Sequence, residues 1–515
     1  MPYGERKEEM GKNRFAVFLT MVMAALVLVF GSTLPAKAAI VQNSKGDIVV
    51  DYPDNETNQP TAKAYKLIDV NFDYTAQQPK DPAYVWDSSV ATWLSANGYN
   101  KYVGNNNAVV DFEDGKATDA DKLYREVAAA IKDGSIAVTA EDALTQRAMG
   151  VYLVIVSGGV NTYKPMVSQL VPEKGDSGEY GISSGKVTMK AEKPTVDKTV
   201  DKAEVVGVQV GDDVPFEIVV SIPDYPENAV ATKLVIADKM GTGLKFNNDI
   251  SVYGEMNSDK VADGAKLTLN NEYKIVQQDL GGHSDYDFVI ELNWSKVKNY
   301  THVLVRYTAE LTSDAVLTPT GNPNEVKYQY SNDPYDTNSF EEIPDKPSVR
   351  TYGAKVKKVN GQGAALAGAE FILSRNQDGS DPLSFVNNGD GKYVVADSDD
   401  RNTSTQLAVG ASGDQLGKLE VGGLGKGEYW LKETKAPDGY NLLSSPVKIT
   451  IADDDNDGIV NSGSDGWVAL DVVNKKGFQL PTTGGSGTAM FAAVGIVLVG
   501  GGAALYLNMK KRSGN

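Results

Sequence analysis

The 515 residues contain no cysteine. Disulfide staples are excluded, so stability must come from packed cores or from some other covalent link. Histidine is nearly missing as well. His283 and His302 are the only two, far apart in sequence, and leave no transition-metal site. No phosphate-binding loop and no hydrolase triad is present, so neither an enzyme nor a cofactor is expected. Positive charge is in short supply: 50 Lys and Arg against 68 Asp and Glu give a formal net charge of −18. That balance sets nucleic acid aside as a partner and favours solubility. Phe (13) and Trp (5) are sparse, and Tyr (25) outnumbers them together. With 51 Gly and many Val and Thr, the composition leans towards antiparallel β structure with many turns.

Long apolar runs are confined to the two ends. Arg6, Lys7, Lys12 and Arg14 precede the run Phe15 to Phe30, followed by Pro35 and the small-residue pattern Ala36-Lys37-Ala38. This reads as a secretory signal peptide over 1–38, cleaved near Ala38. At the other end stand Gln479-Leu480-Pro481-Thr482-Thr483-Gly484, an apolar stretch from Ala489 to Leu507, and then Lys510-Lys511-Arg512. The stretch is about long enough to cross a hydrocarbon core as a helix, and the basic end stays on the cytoplasmic side. The segment 478–515 therefore reads as a membrane anchor, with nearly the whole chain outside.

Between these ends the expectation is mainly β: tandem immunoglobulin-like β-sandwiches, three beads on a string, with helical insertions in the first. Residues 39–190 carry strand-like pieces at Gly46–Tyr52 and Thr61–Val70. A helix follows Thr118, with Leu123, Val127 and Ile131 on one face. A second short helix is predicted from Thr139 to Met149, and a buried strand over Gly150–Val156. Tyr163–Val167 and Lys186–Lys190 are expected to continue the sheet. Residues 191–348 alternate at Val214–Ile222, Lys233–Lys239, Asp285–Leu292 and His302–Leu311, which reads as a sandwich. Residues 349–477 form another all-β block, opening at Tyr352–Val359 and closing at Trp467–Asn474.

The third block places polar groups where the strand period wants apolar ones. Tyr429, Leu431 and Glu433 share a face, so Glu433 points into the core. On the opening strand, Lys358 shares parity with Tyr352, Ala354 and Val356. On the closing strand, Asn474 shares a face with Val472. Burial lowers a lysine pKa and yields a neutral amine nucleophile, while desolvation keeps a carboxylic acid protonated. A protonated Glu433 would hydrogen-bond the Asn474 carboxamide oxygen. Attack by Lys358 at the amide carbon would expel ammonia and leave a Lys–Asn isopeptide bond, once per molecule. The alternative is a solvated lysine and a hydrogen-bonded asparagine in an ordinary sandwich. In the second block Asp238 shares parity with Leu234 and Ile236. The run Asp453–Gly458 starts like a calcium loop but has Ser464 where a glutamate is needed, and is read as an acidic hairpin turn with no metal.

These motifs resemble those of Gram-positive surface pilins. Leu480-Pro481-Thr482-Thr483-Gly484, the apolar span and the basic tail resemble a cell-wall sorting signal. In that family a sortase attacks the carbonyl of the residue matching Thr483 and releases Gly484 onward. Residues 349–477 are similar to the collagen-adhesin B-type domain, whose E box Y-x-L-x-E-T-x-A-P-x-G-Y is matched at every fixed position from Tyr429 to Tyr440. The resemblance implies a bond between Lys358 and Asn474 assisted by Glu433. Residues 191–348 resemble the fimbrial isopeptide-forming domain, including Tyr330-Ser331-Asn332-Asp333-Pro334. That implies Lys198–Asn324 with Asp238 as the acid; Lys202 is a rival lysine and Glu217 an alternative acid. Backbone pilins carry a linking lysine at the end of the N-terminal domain. Lys190 lies at that junction without the flanking motif residues, and Lys193 and Lys186 are its rivals. The resemblance implies a major pilin subunit, joined by a pilin sortase through Thr483 to Lys190 of the next copy and linked to peptidoglycan by a housekeeping sortase. Minor pilins and host surface ligands are further partners of such a subunit. The alternative is a wall-anchored adhesin or minor pilin displayed as a monomer.

Overall fold

The computed structural model describes residues 39–110, 117–175, 178–256, 264–276, 285–317, 319–453, 460 and 466–476. In the N-terminal region an antiparallel sheet runs β3 (Gln78–Trp86), β2 (Thr61–Asp73), β4 (Gly150–Ser157), β5 (Met166–Leu170). β4 is buried from Gly150 to Val156 because both its faces are covered. Val151, Leu153 and Ile155 pack towards the helical side, and Tyr152, Val154 and Val156 pack the opposite way. The helical side is built by α1 (Ser88–Ala96) and α2 (Ala117–Lys132). Leu123, Val127 and Ile131 of α2 are buried, as their spacing predicts. α1 went unpredicted. The Asp87 carboxylate caps it, accepting from the Ser89 and Val90 amides at 2.8 and 3.4 Å, and Val90, Ala91 and Leu94 turn inward.

Two expectations here are corrected. Thr139–Met149 is not a helix. Ala140–Glu141 pairs with β2, Arg147–Ala148 pairs with Lys45–Gly46, and an ion pair joins Glu141 to Arg147. Gln146 between them adopts φ 56°, a left-handed conformation no helix accommodates. Nor does the 186–190 stretch extend the main sheet. β6 (Gly185–Thr188) instead pairs in parallel with β1 (Ile48–Asp51).

The middle sandwich has two sheets. One contains β7 (Val196–Val200), β8 (Asp213–Ser221) and β11 (His302–Leu311). The other contains β10 (Phe288–Leu292), β9 (Leu234–Met240) and β12 (Asn322–Tyr330). The third block is also built of two sheets. Its larger sheet sets β13 (Tyr352–Asn360) between β15 (Lys418–Leu424) and β18 (Trp467–Asn474). Its smaller sheet contains β14 (Glu370–Ser374), β16 (Gly427–Lys435) and β17 (Val447–Ile451). β13 and β18, the opening and closing strands, run parallel with Lys358 opposite Val472.

Separate beads are not what the cores form. A single apolar cluster runs from Val200 of the middle sandwich to Val472 of the third. The Val210 amide donates to the Gly423 carbonyl across this junction at 2.9 Å. The N-terminal region is tied on as well. Tyr335 belongs to its helical core. Tyr330 Oη donates to the Val160 carbonyl at 2.6 Å, and Asn332 Nδ2 to the Gly159 carbonyl at 2.8 Å. Ser157 donates to the Asp333 carboxylate at 2.6 Å. The Tyr330–Pro334 segment therefore works as an interdomain latch rather than as part of a reactive site.

Removing the α1 cap tests the local account. Asp87→Ala is expected to weaken α1 by about 1 kcal/mol. Native-state amide exchange over residues 90–97 should then be roughly fivefold faster, with β4 unchanged.

Candidate functional site

In the third block the strand period delivers Lys358, Glu433 and Asn474 to one interior point. Their relative exposures are 0%, 7% and 0%. Lys358 Nζ donates to the Val472 carbonyl at 2.8 Å. Burial pushes its amine below the ordinary lysine value, and the nearby Glu433 charge opposes that shift. Asn474 Nδ2 donates to Glu433 Oε2 at 3.0 Å and to the Asn441 carbonyl at 2.8 Å. Glu433 Oε2 also accepts from the Leu443 amide at 2.9 Å. The sequence expectation placed the acid on the carboxamide oxygen; the structure places it on the carboxamide nitrogen. The Asn441 carbonyl explains the orientation, because only the NH2 end can satisfy it. Asn474 Oδ1 and Glu433 Oε1 are buried with no hydrogen-bond partner among the described residues.

The middle sandwich assembles a second set. Lys198 (β7), Asp238 (β9) and Asn324 (β12) are each fully buried. Lys198 Nζ lies 2.5 Å from Asp238 Oδ2. Burial pushes the lysine down and the carboxylic acid up, so both shifts favour a neutral pair. The rivals fall away. Lys202 is exposed, on a turn with φ 64°. Glu217 lies outside the core and pairs with Arg306 at 2.8 Å. Sequence reasoning missed Tyr307, whose hydroxyl donates to Asp238 Oδ2 at 2.9 Å and accepts from Asn324 Nδ2 at 2.8 Å. Its signal was an inward parity shared with Val303 and Val305, which reads as ordinary core. Asp238 Oδ1 and Asn324 Oδ1 have no partner among the described residues.

Lys190 is exposed just beyond β6, and its carbonyl accepts from the Lys164 amide at 2.9 Å. Among the described residues no ion pair reaches Lys190 or Lys193, whereas Lys186 pairs with Asp51 at 2.7 Å. Among the described residues no group of acidic or histidine side chains is arranged to hold a metal ion. Residues 454–458, where an acidic turn is expected, His283 and the segment Leu480 to Gly484 lie outside the described residues.

Comparison with known proteins bears on these sites. Residues 353–465 match the family model for SpaA, a prealbumin-like fold domain, and residues 472–513 match the LPXTG cell wall anchor motif. The chain is a cell-wall-anchored surface protein with a SpaA domain. Among curated relatives of this anchored protein is the trypsin-resistant surface T6 protein of Streptococcus pyogenes. It is 21% identical over 461 residues, covering 71% of this chain and 80% of the relative. The fimbrial subunit type 1 of Actinomyces viscosus is 24% identical over 350 residues, covering 59% and 62%. The solved T6 backbone pilin of Streptococcus pyogenes, described as a modular three-domain structure, superposes with a TM-score of 0.53 at 16% identity. That match covers 85% of the anchored protein and all of the pilin chain. It shows a shared fold. The SpaA match takes in Lys358 and Glu433, and Asn474 falls at the start of the anchor match.

Proposed function

We propose that this protein is the structural backbone subunit of a covalently polymerised surface pilus. Sortase would join Thr483 of one copy to Lys190 of the next, and Lys358–Asn474 and Lys198–Asn324 isopeptide bonds would close inside each copy. What supports the reading most is one coincidence. A chain without cysteine carries a wall-sorting motif and two buried sets of lysine, acid and asparagine. The names of the relatives, a backbone pilin and a fimbrial subunit, agree with it.

Each internal bond forms by the same balanced step. The neutral lysine Nζ attacks the asparagine Cγ, the Cγ–Nδ2 bond breaks, one proton passes from Nζ to Nδ2, and ammonia leaves. In the third block Glu433 sits against the departing nitrogen, so its role is to relay that proton from Nζ to Nδ2. A lysine–asparagine link closing a loop of over a hundred residues would stabilise its domain by up to about 5 kcal/mol through the unfolded chain. Between copies, the Lys190 amine resolves the acyl-enzyme formed at Thr483. The contact is head-to-tail and does not close, so it gives filaments. The exposed amine of Lys190, with no ion pair among the described residues, favours it over the ion-paired Lys186.

The intact mass of residues 39–483 is expected to fall short of the sequence mass by two ammonias, and that of Glu433→Ala by one. A full sequence mass would refute the internal links. Cell-wall extracts of the native strain on a denaturing gel are expected to show a high-mass ladder that collapses in a Lys190→Ala strain. A ladder that survives moves the linking lysine, with Lys193 next. A single band near monomer mass leaves a wall-anchored adhesin or minor pilin.

A further inference from the structure

We propose that Tyr307 is a catalytic residue of the middle sandwich, passing a proton from Asp238 to the nitrogen that Asn324 loses when Lys198 attacks. The inference rests on the isopeptide reading above and deepens it.

The two sandwiches place their acids differently. In the third, Lys358 and Asn474 stand on neighbouring strands of one sheet, and Glu433 reaches them from the other. In the middle sandwich the acid shares a sheet with the asparagine, and the lysine comes from across the core. β9 and β12 pair so that Asp238 faces Val326 and Asn324 faces Met240. Asp238 and Asn324 are thus diagonal neighbours on one face, with backbones separated by roughly 7–8 Å. Neither carboxylate oxygen hydrogen-bonds the Asn324 amide. The Tyr307 hydroxyl fills the gap, 2.9 Å from Asp238 Oδ2 and 2.8 Å from Asn324 Nδ2.

The surroundings keep that hydroxyl in place. The Tyr307 ring stacks on Phe216 with centroids 5.4 Å apart and meets Phe288 edge-on at 5.0 Å. Burial, reinforced by Asp238, pushes its pKa well above the ordinary tyrosine value, so it stays protonated between transfers. The planar Asn324 amide donates to Tyr307. Once Nζ adds to Cγ, Nδ2 becomes pyramidal and gains a lone pair. The Tyr307 proton then moves to Nδ2, the Asp238 proton replaces it on Tyr307, and a proton from Nζ replaces that on Asp238. The Cγ–Nδ2 bond breaks and ammonia leaves; every group in the chain ends as it began. Glu433 touches its amide nitrogen directly, so the third sandwich needs no such intermediary.

Tyr307→Phe in the chain of residues 39–483 tests this, because it keeps the ring and removes one oxygen. Cross-linked peptides are followed by mass spectrometry after synthesis, with Lys198→Ala as the unlinked reference. The expected result is an intact Lys358–Asn474 link, a Lys198–Asn324 link formed about a hundredfold more slowly or not at all, and a melting temperature no lower than that of Lys198→Ala. A Lys198–Asn324 link at the wild-type rate would overturn the proposal. So would a Tyr307→Phe protein melting well below Lys198→Ala, since the hydroxyl would then be structural. Absence of the Lys198–Asn324 link from the wild-type protein would instead sink the isopeptide reading of this sandwich.

Discussion

A lysine amine cut off from water is the constraint on which both sandwiches turn. An ammonium group buried without adequate partners costs several kcal/mol, so Lys198 and Lys358 are driven towards the neutral form. A neutral amine in a core is tolerable only beside groups that accept its hydrogens, and those are what the sheets supply: an Asp238 carboxyl in one case, the Val472 carbonyl in the other. The accommodation is incomplete. Four carboxyl or carboxamide oxygens in the two sets lack partners among the described residues. Each orphan costs the fold about 1–3 kcal/mol. The surrounding strands hold these groups together against that cost.

The same three residue types are reached by different routes. Glutamate has one more methylene than aspartate and can approach an asparagine from the facing sheet. Aspartate on the adjacent strand cannot span the diagonal alone, and an aromatic hydroxyl from the opposite sheet completes the contact. Side-chain length and sheet of origin are therefore coupled, so the acids of the two sandwiches are not interchangeable by position.

Much of this was legible in the chain because strand geometry has a period of two. Glu433, Lys358 and Asn474 betray themselves by sharing parity with apolar neighbours, and the structure finds all three inside. Asp238 does the same beside Leu234 and Ile236. Tyr307 did not, since a tyrosine at an inward position is unremarkable until strands far apart in sequence bring a carboxyl and an amide to its oxygen. Lys202 stayed a rival to Lys198 until its exposed turn was placed. The short helix α1 carried a readable signal in Asp87 and the Val90, Ala91, Leu94 spacing. The misread 139–149 segment shows the opposite failure, where pairing with two separate strands outweighs a helical composition.

The parallel pairing of β13 with β18 has a mechanical meaning. The chain enters the third block at the Tyr352 end of this pair and leaves at the Asn474 end. Tension applied along the chain therefore shears the two strands past each other, loading their hydrogen bonds together instead of peeling them one at a time. A covalent joint from Lys358 to Asn474 would carry the pull straight from the first strand to the exit. The loops and most of the smaller sheet would bear almost no load, leaving their sequences free to vary without weakening the fibre so long as Glu433 keeps its place beside the joint.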